Sequence, residues 1–106
     1  MLRTTQSAKV VRAFLETPRA AQYGFALMKS TGVKSGSLYP MLDRLERSGW
    51  IEGFDECIDE RAEGRPKRRL YRLTALGERE GTAALAAFYR DLGPIPDWVP
   101  GLAGTR

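Results

Sequence analysis

Ser35-Gly36-Ser37-Leu38-Tyr39-Pro40-Met41-Leu42-Asp43-Arg44-Leu45-Glu46-Arg47-Ser48-Gly49 reads as one amphipathic helix with a marked start and stop. Leu38, Met41, Leu42 and Leu45 recur at the i, i+3, i+4, i+7 spacing of a single buried face. Ser35 and Ser37 are both competent N-caps. Pro40 favours Ser37, because that start puts the proline in the first turn, where its missing N–H costs nothing. Gly49 closes the helix, and Trp50 is placed to pack back onto Leu45. The face left outside holds Ser37, Tyr39, Pro40, Asp43, Arg44 and Arg47.

Upstream, two helices are expected. Thr4 or Thr5 caps one that runs to about Thr17, where Pro18 stops it. Its apolar stripe is Val10, Val11, Phe14 and Leu15. A shorter one covers about Tyr23 to Thr31, with Gly32 in a left-handed C′ position and Val33 folding back onto Met28. A short, glycine-containing turn before the Ser35 stretch is the spacing of a helix-turn-helix. Downstream the period becomes alternating. Trp50 to about Ile58 and Lys67 to Leu73 read as two strands joined by a polar turn, Asp59 to Pro66. Thr74 caps a last helix that ends near Leu92, before Gly93-Pro94.

The expected architecture is mainly α with a two-stranded β wing: a winged helix-turn-helix plus a C-terminal helix for dimerisation. Residues 1–92 form the domain and residues 93–106 a Pro- and Gly-rich tail. At 106 residues the chain is one domain. It has no histidine and a single cysteine, Cys57. That removes the commonest general base, the commonest metal ligand and any internal disulfide. No catalytic residue, metal site or cofactor is expected. A carboxylate pair is the surviving enzyme chemistry, and the acidic residues from Asp55 to Glu60 sit on a hairpin edge rather than in a cleft. The first six residues carry no apolar h-region and no apolar run is long enough to span a membrane, so the expected location is the cytoplasm, with no membrane partner.

Formal net charge is +4, unevenly spread. Residues 61–72 carry six cations against Glu63, or +5, so the other 94 residues sum to −1. A localised basic element on a near-neutral body is the footprint of nucleic-acid binding, and a solvated charged loop is the plainer alternative. The wing contributes Arg65, Lys67, Arg68 and Arg69. Strand alternation puts Lys67 and Arg69 on one face and Arg68 on the other. Arg65, at the tip and held extended by Pro66, is suited to a minor groove. Tyr71 and Leu73 belong to the core. On the reading helix, Lys34, Ser35 and Ser37 flank an N-terminus whose free N–H groups favour phosphate. Tyr39 offers an O–H, and Arg44 and Arg47 suit the DNA backbone. Alternatively these arginines are ordinary exposed residues, with Asp43 and Arg47 paired at i, i+4.

Certain runs resemble the PadR-like transcriptional regulators: Tyr23-Gly24-Phe25, Gly36 to Glu46, Ser48-Gly49-Trp50-Ile51, Gly64 to Thr74, and Gly77. The resemblance covers roughly residues 10–80 and points to the small, single-domain branch of that family. It implies winged-helix homodimers that repress transcription and dimerise through the first and last helices. The last helix supports a dimer separately, since Ala83 to Tyr89 are uncharged all round and one small domain cannot cover them. Alanines chosen only for helix propensity are the alternative. The expected interface is Val11, Phe14 and Leu15 against Leu85, Phe88, Tyr89 and Leu92. Trp98 in the tail docks on its own domain, on a second subunit or over a ligand. Cys57 is a structural or exposed thiol.

The expected function is a sequence-specific, double-stranded DNA-binding regulator, a homodimeric repressor that occupies an inverted-repeat operator. A winged-helix protein-interaction module and a replication or mobile-element DNA-binding factor are the alternatives. The residues name no small-molecule effector.

Overall fold

The computed structural model describes Leu2 and residues 4–92, so the tail from 93 and Trp98 lie outside the described residues. The elements run α1 (Thr5–Glu16), β1 (Gln22–Tyr23), α2 (Gly24–Thr31), α3 (Ser35–Arg47), β2 (Ile51–Asp55), α4 (Glu60–Glu63), β3 (Arg69–Leu73) and α5 (Ala75–Leu92). Thr4 opens α1 with a capping box closed by Ser7 rather than an acid: each side chain accepts from the other's N–H, at 3.1 and 3.2 Å. Gly32 takes φ +76° after α2 and donates to the Met28 carbonyl at 2.8 Å.

The start of α3 differs from the expected Ser37 cap. Lys34 is the N-cap, without a side-chain cap bond, and Pro40 stands inside the helix. The reason lies in the backbone. Lys34's carbonyl accepts from the N–H groups of Ser37 (3.0 Å) and Leu38 (2.8 Å), so the helix is already under way at Ser35. Pro40 therefore lies beyond the first turn, and its missing N–H leaves the Gly36 carbonyl without its usual i+4 donor.

At the other end of α3 the chain forms a Schellman motif. Gly49, at φ +79°, donates to Glu46 and Trp50 donates to Leu45, both at 3.0 Å. Thr74, between β3 and α5, then ties the start of α5 to the turn that links α3 and β2. Its N–H donates to the Trp50 carbonyl at 2.9 Å, its hydroxyl donates to the Gly49 carbonyl, and it accepts from Gly77 N–H at 2.9 Å to cap α5. Gly77 lies flat against this corner, and a Cβ there would overlap the Trp50 carbonyl.

The two wing strands pair antiparallel as expected, Ile51 opposite Leu73 through Asp55 opposite Arg69. They are shorter than the alternation suggested. The segment between them contains the single turn α4, capped by the Asp59 carboxylate and closed by Gly64 at φ +70°. A third strand, β1, adds to the far side of β3 in the order β1-β3-β2. The core gathers Val10, Val11 and Phe14 of α1, Leu27 of α2, the four leucine-face residues of α3, Trp50, Ile51 and Tyr71. Leu73 packs against this cluster.

The residues expected at the dimer interface differ in burial. Val11, Phe14 and Leu85 are 2%, 1% and 2% exposed within a single chain. In the single chain α1 and α5 thus pack on one another through these side chains. Leu15, Phe88 and Tyr89 are half-buried, while the side chain of Leu92 lies outside the described residues.

Candidate nucleic-acid interface

The leucine face fixes the rotation of α3. With Leu38 and Leu42 fully buried, Lys34, Ser35, Tyr39 and Arg44 point to solvent and Ser37 is half-buried. Tyr39 remains 45% exposed. Its hydroxyl end crosses Gly24 so closely that a Cβ at Gly24 would overlap it. The glycine therefore lets the tyrosine lie along the start of α2. Arg47 is spoken for by Asp43, the i, i+4 pair that the spacing allowed.

β3 brings the wing to the same surface. Tyr23, Gly24, Phe25, Tyr39, Arg68 and Arg69 line one open groove of about 440 Å³. It joins the N-terminal half of α3 to the wing across the start of α2. The Arg68 guanidinium lies over the Tyr23 ring at 4.4 Å, and the Lys29 ammonium over Phe25 at 5.6 Å. Phe25 is 56% exposed, an unusual position for a large apolar side chain. Sequence reading did not single out Phe25 as a surface residue. Leu27, two residues later, is buried, and positions two apart on a helix point about 200° apart, so Phe25 faces outward.

The remaining wing cations sit differently from expectation. Arg65 does not reach outward from the tip. Its guanidinium takes the Glu56 carboxylate bidentately, at 2.7 and 3.1 Å, and also donates to the Pro66 carbonyl at 3.2 Å. Glu56 further accepts from Arg68 N–H at 3.2 Å, so this pair clamps the two arms of the hairpin. The Arg65 hydrogen bond holds the Glu56 carboxyl below its ordinary value, against a smaller opposing effect of desolvation. Lys67 and Arg69 both meet Asp55, at 3.7 and 3.6 Å, although Lys67 precedes β3 and Arg69 lines the same groove as Arg68. Arg69 also reaches Glu46 of α3 at 3.4 Å, and Arg72 reaches Glu52 at 3.5 Å. Burial raises the Tyr71 hydroxyl above its ordinary value, consistent with its place in the core. Cys57 is exposed.

Among the described residues no helix is long and apolar enough to cross a membrane. Residues 18–83 match the transcriptional regulator PadR-like family. No curated protein matches the sequence. Among solved structures, the chain is 25% identical to a PadR family transcriptional regulator from Eggerthella lenta, with TM-score 0.63 over 95% of this chain and 87% of that one. It is 21% identical to smu.1704 from Streptococcus mutans, with TM-score 0.66 and 95% of both chains covered. Reduced AbfR bound to DNA gives 23% identity and TM-score 0.65, covering 89% of this chain. The chain spans 56–61% of the length of the AbfR chains it matches, one of them from Staphylococcus epidermidis.

Proposed function

The chain belongs to the PadR-like family of transcriptional regulators, and from that premise we propose that it is a sequence-specific double-stranded DNA-binding repressor, acting as a homodimer by occupying an inverted-repeat operator. One observation carries this reading: the exposed start of α3 and the wing share a single continuous surface, joined through Tyr39, Phe25 and Arg68. An uncapped helix N-terminus flanked by Lys34 and Ser35 presents N–H groups and positive charge to phosphate. Tyr39, at the groove, and Ser37, on the same helix, supply hydroxyl donors, and Phe25 supplies an apolar surface of the kind that meets thymine methyl groups. Arg44 and Arg68 reach phosphates, with Lys67 and Arg69 behind them. Repression follows from occupancy, since a bound dimer excludes polymerase.

Selection from a pool of randomised duplexes tests the reading. The wild-type protein enriches an inverted repeat, and Tyr39→Phe weakens binding to it several-fold without changing the melting temperature, since one exposed O–H is removed. Arg68→Ala weakens selected and random duplexes alike and lowers the slope of log K against log salt by about 0.9. A pool that shows no enrichment sinks the proposal.

A further inference from the structure

The hairpin, basic over residues 61–72, is formally neutral over residues 51–73. Residues 51–73 contain six cations and six carboxylates. Four of the cations, Arg65, Lys67, Arg69 and Arg72, have a carboxylate within ion-pairing distance. The pairing follows the strand register: Glu52 stands opposite Arg72 and Asp55 opposite Arg69. The Arg69 mooring is built from three elements. Glu46 on α3 accepts from Gly53 N–H at 3.2 Å and from Arg69 at 3.4 Å. A Cβ at Gly53 would press on both the carboxylate and the guanidinium, so this glycine on β2 makes the room.

We propose that Asp55 and Glu46 are specificity-determining residues that act against the wrong DNA: they hold Lys67 and Arg69 on the protein, so that these cations transfer to phosphates only where the duplex fits the reading helix. The inference rests on the DNA-binding reading above. A free surface lysine or arginine gains affinity for any duplex by releasing condensed counterions. A cation already neutralised by a carboxylate loses a partner when it meets a phosphate, so its net gain is small on a poorly seated duplex. On a matched duplex, the contacts of α3 bring the phosphates close enough to complete the exchange. Exposed ion pairs are weak, and these side chains are about half exposed, so the exchange is open to them. Arg65, clamped to Glu56, stays with the scaffold.

Asp55→Asn is the direct test, because Asp55 is the only carboxylate that Lys67 pairs with among the described residues. Binding of the full chain is measured by fluorescence anisotropy across salt, on a random-sequence duplex and on one selected from a randomised pool. Asp55→Asn should raise affinity for the random duplex by up to about eightfold at 0.1 M salt and steepen the salt slope by about 0.9. Affinity for the selected duplex should rise less, so the specificity ratio falls. Glu46→Gln should act in the same direction through Arg69. Glu78→Gln makes the same charge change on a residue in no ion pair among the described residues, and should leave the ratio unchanged. Wild-type binding with an unchanged ratio in Asp55→Asn overturns this inference alone, as does an equal change in Glu78→Gln. Failure of the wild type and every variant to bind either duplex overturns the DNA reading as well.

Discussion

Two glycines show how much depends on single missing methyl groups. At Gly24 a Cβ would meet the far end of Tyr39, an exposed side chain that can swing away. At Gly77 it would meet the backbone carbonyl of Trp50, fixed by the Schellman turn and by Thr74. The same substitution should therefore do opposite things. Gly77→Ala should destabilise the fold by about 1–3 kcal/mol or more, because no rotamer relieves the overlap. Gly24→Ala should leave the melting point nearly unchanged while weakening DNA binding as far as Tyr39→Phe does. Thermal melts and duplex titrations of the two variants check this. A Gly24→Ala protein that binds normally would mean that the position of Tyr39 along α2 is immaterial to recognition.

At the scale of elements, the wing is held as a unit by the Arg65–Glu56 pair. Since folding lowers the Glu56 pKa, the unfolded chain binds this proton more readily. The pair's contribution is therefore fully present above the ordinary glutamate value of about 4.3, and is lost as pH falls through that value to the lower folded one. Arg65→Ala should be less stable than wild type in denaturant unfolding at pH 7, and the gap should narrow as the pH is lowered towards 3. A gap that is constant with pH would assign the effect to packing rather than charge.

Helices α1, α2, α3 and α5 were legible from their own period or punctuation: the leucine face of α3, Gly32 and Gly49 as stops, Thr4 and Thr74 as caps, whereas the single turn α4 reads as part of a polar turn. β1 was not legible, since two residues have no period and Gln22 and Tyr23 become a strand only by lying beside β3. The Lys34 start of α3 was hidden because two serines and a proline all argued locally for Ser37, while burial of Leu38 and its bond to Lys34 decided otherwise. The charge of the wing misled for a related reason. Residues 61–72 are basic as a window, but register sets them against the acids of β2. Lys34, Ser35, Tyr39 and Arg44 were legible as exposed because the buried face of the same helix fixes their direction.

For the whole molecule, α5 argues for a second subunit more narrowly than its uncharged run suggested. Taking about 100° per residue, Gly77, Gly81, Ala84 and Leu85 fall on one side of the helix. Gly77, Gly81 and Leu85 are buried in their own domain, and Ala84 packs against its core. Phe88 continues that stripe, yet it is only half-buried, so the apolar stripe outruns the domain that covers its first half. Tyr89 lies about 100° round from Phe88 and meets it edge-on, with ring centroids 5.6 Å apart. If a second copy covers the open end of the stripe, the two aromatics are not equivalent. Phe88→Asp should convert a dimer to a monomer in sedimentation at micromolar concentration and abolish operator binding. Tyr89→Asp should weaken both less. Leu85→Asp should unfold the protein, because that side chain belongs to the subunit's own core. A two-fold dimer would set its two copies of α3 on one face of the duplex, so its half-sites should be centred about 10 or about 20 base pairs apart. A wild-type protein that sediments as a monomer and still binds a single asymmetric site tightly would overturn the dimer. The half-buried Phe88 end of α5 would then need another partner.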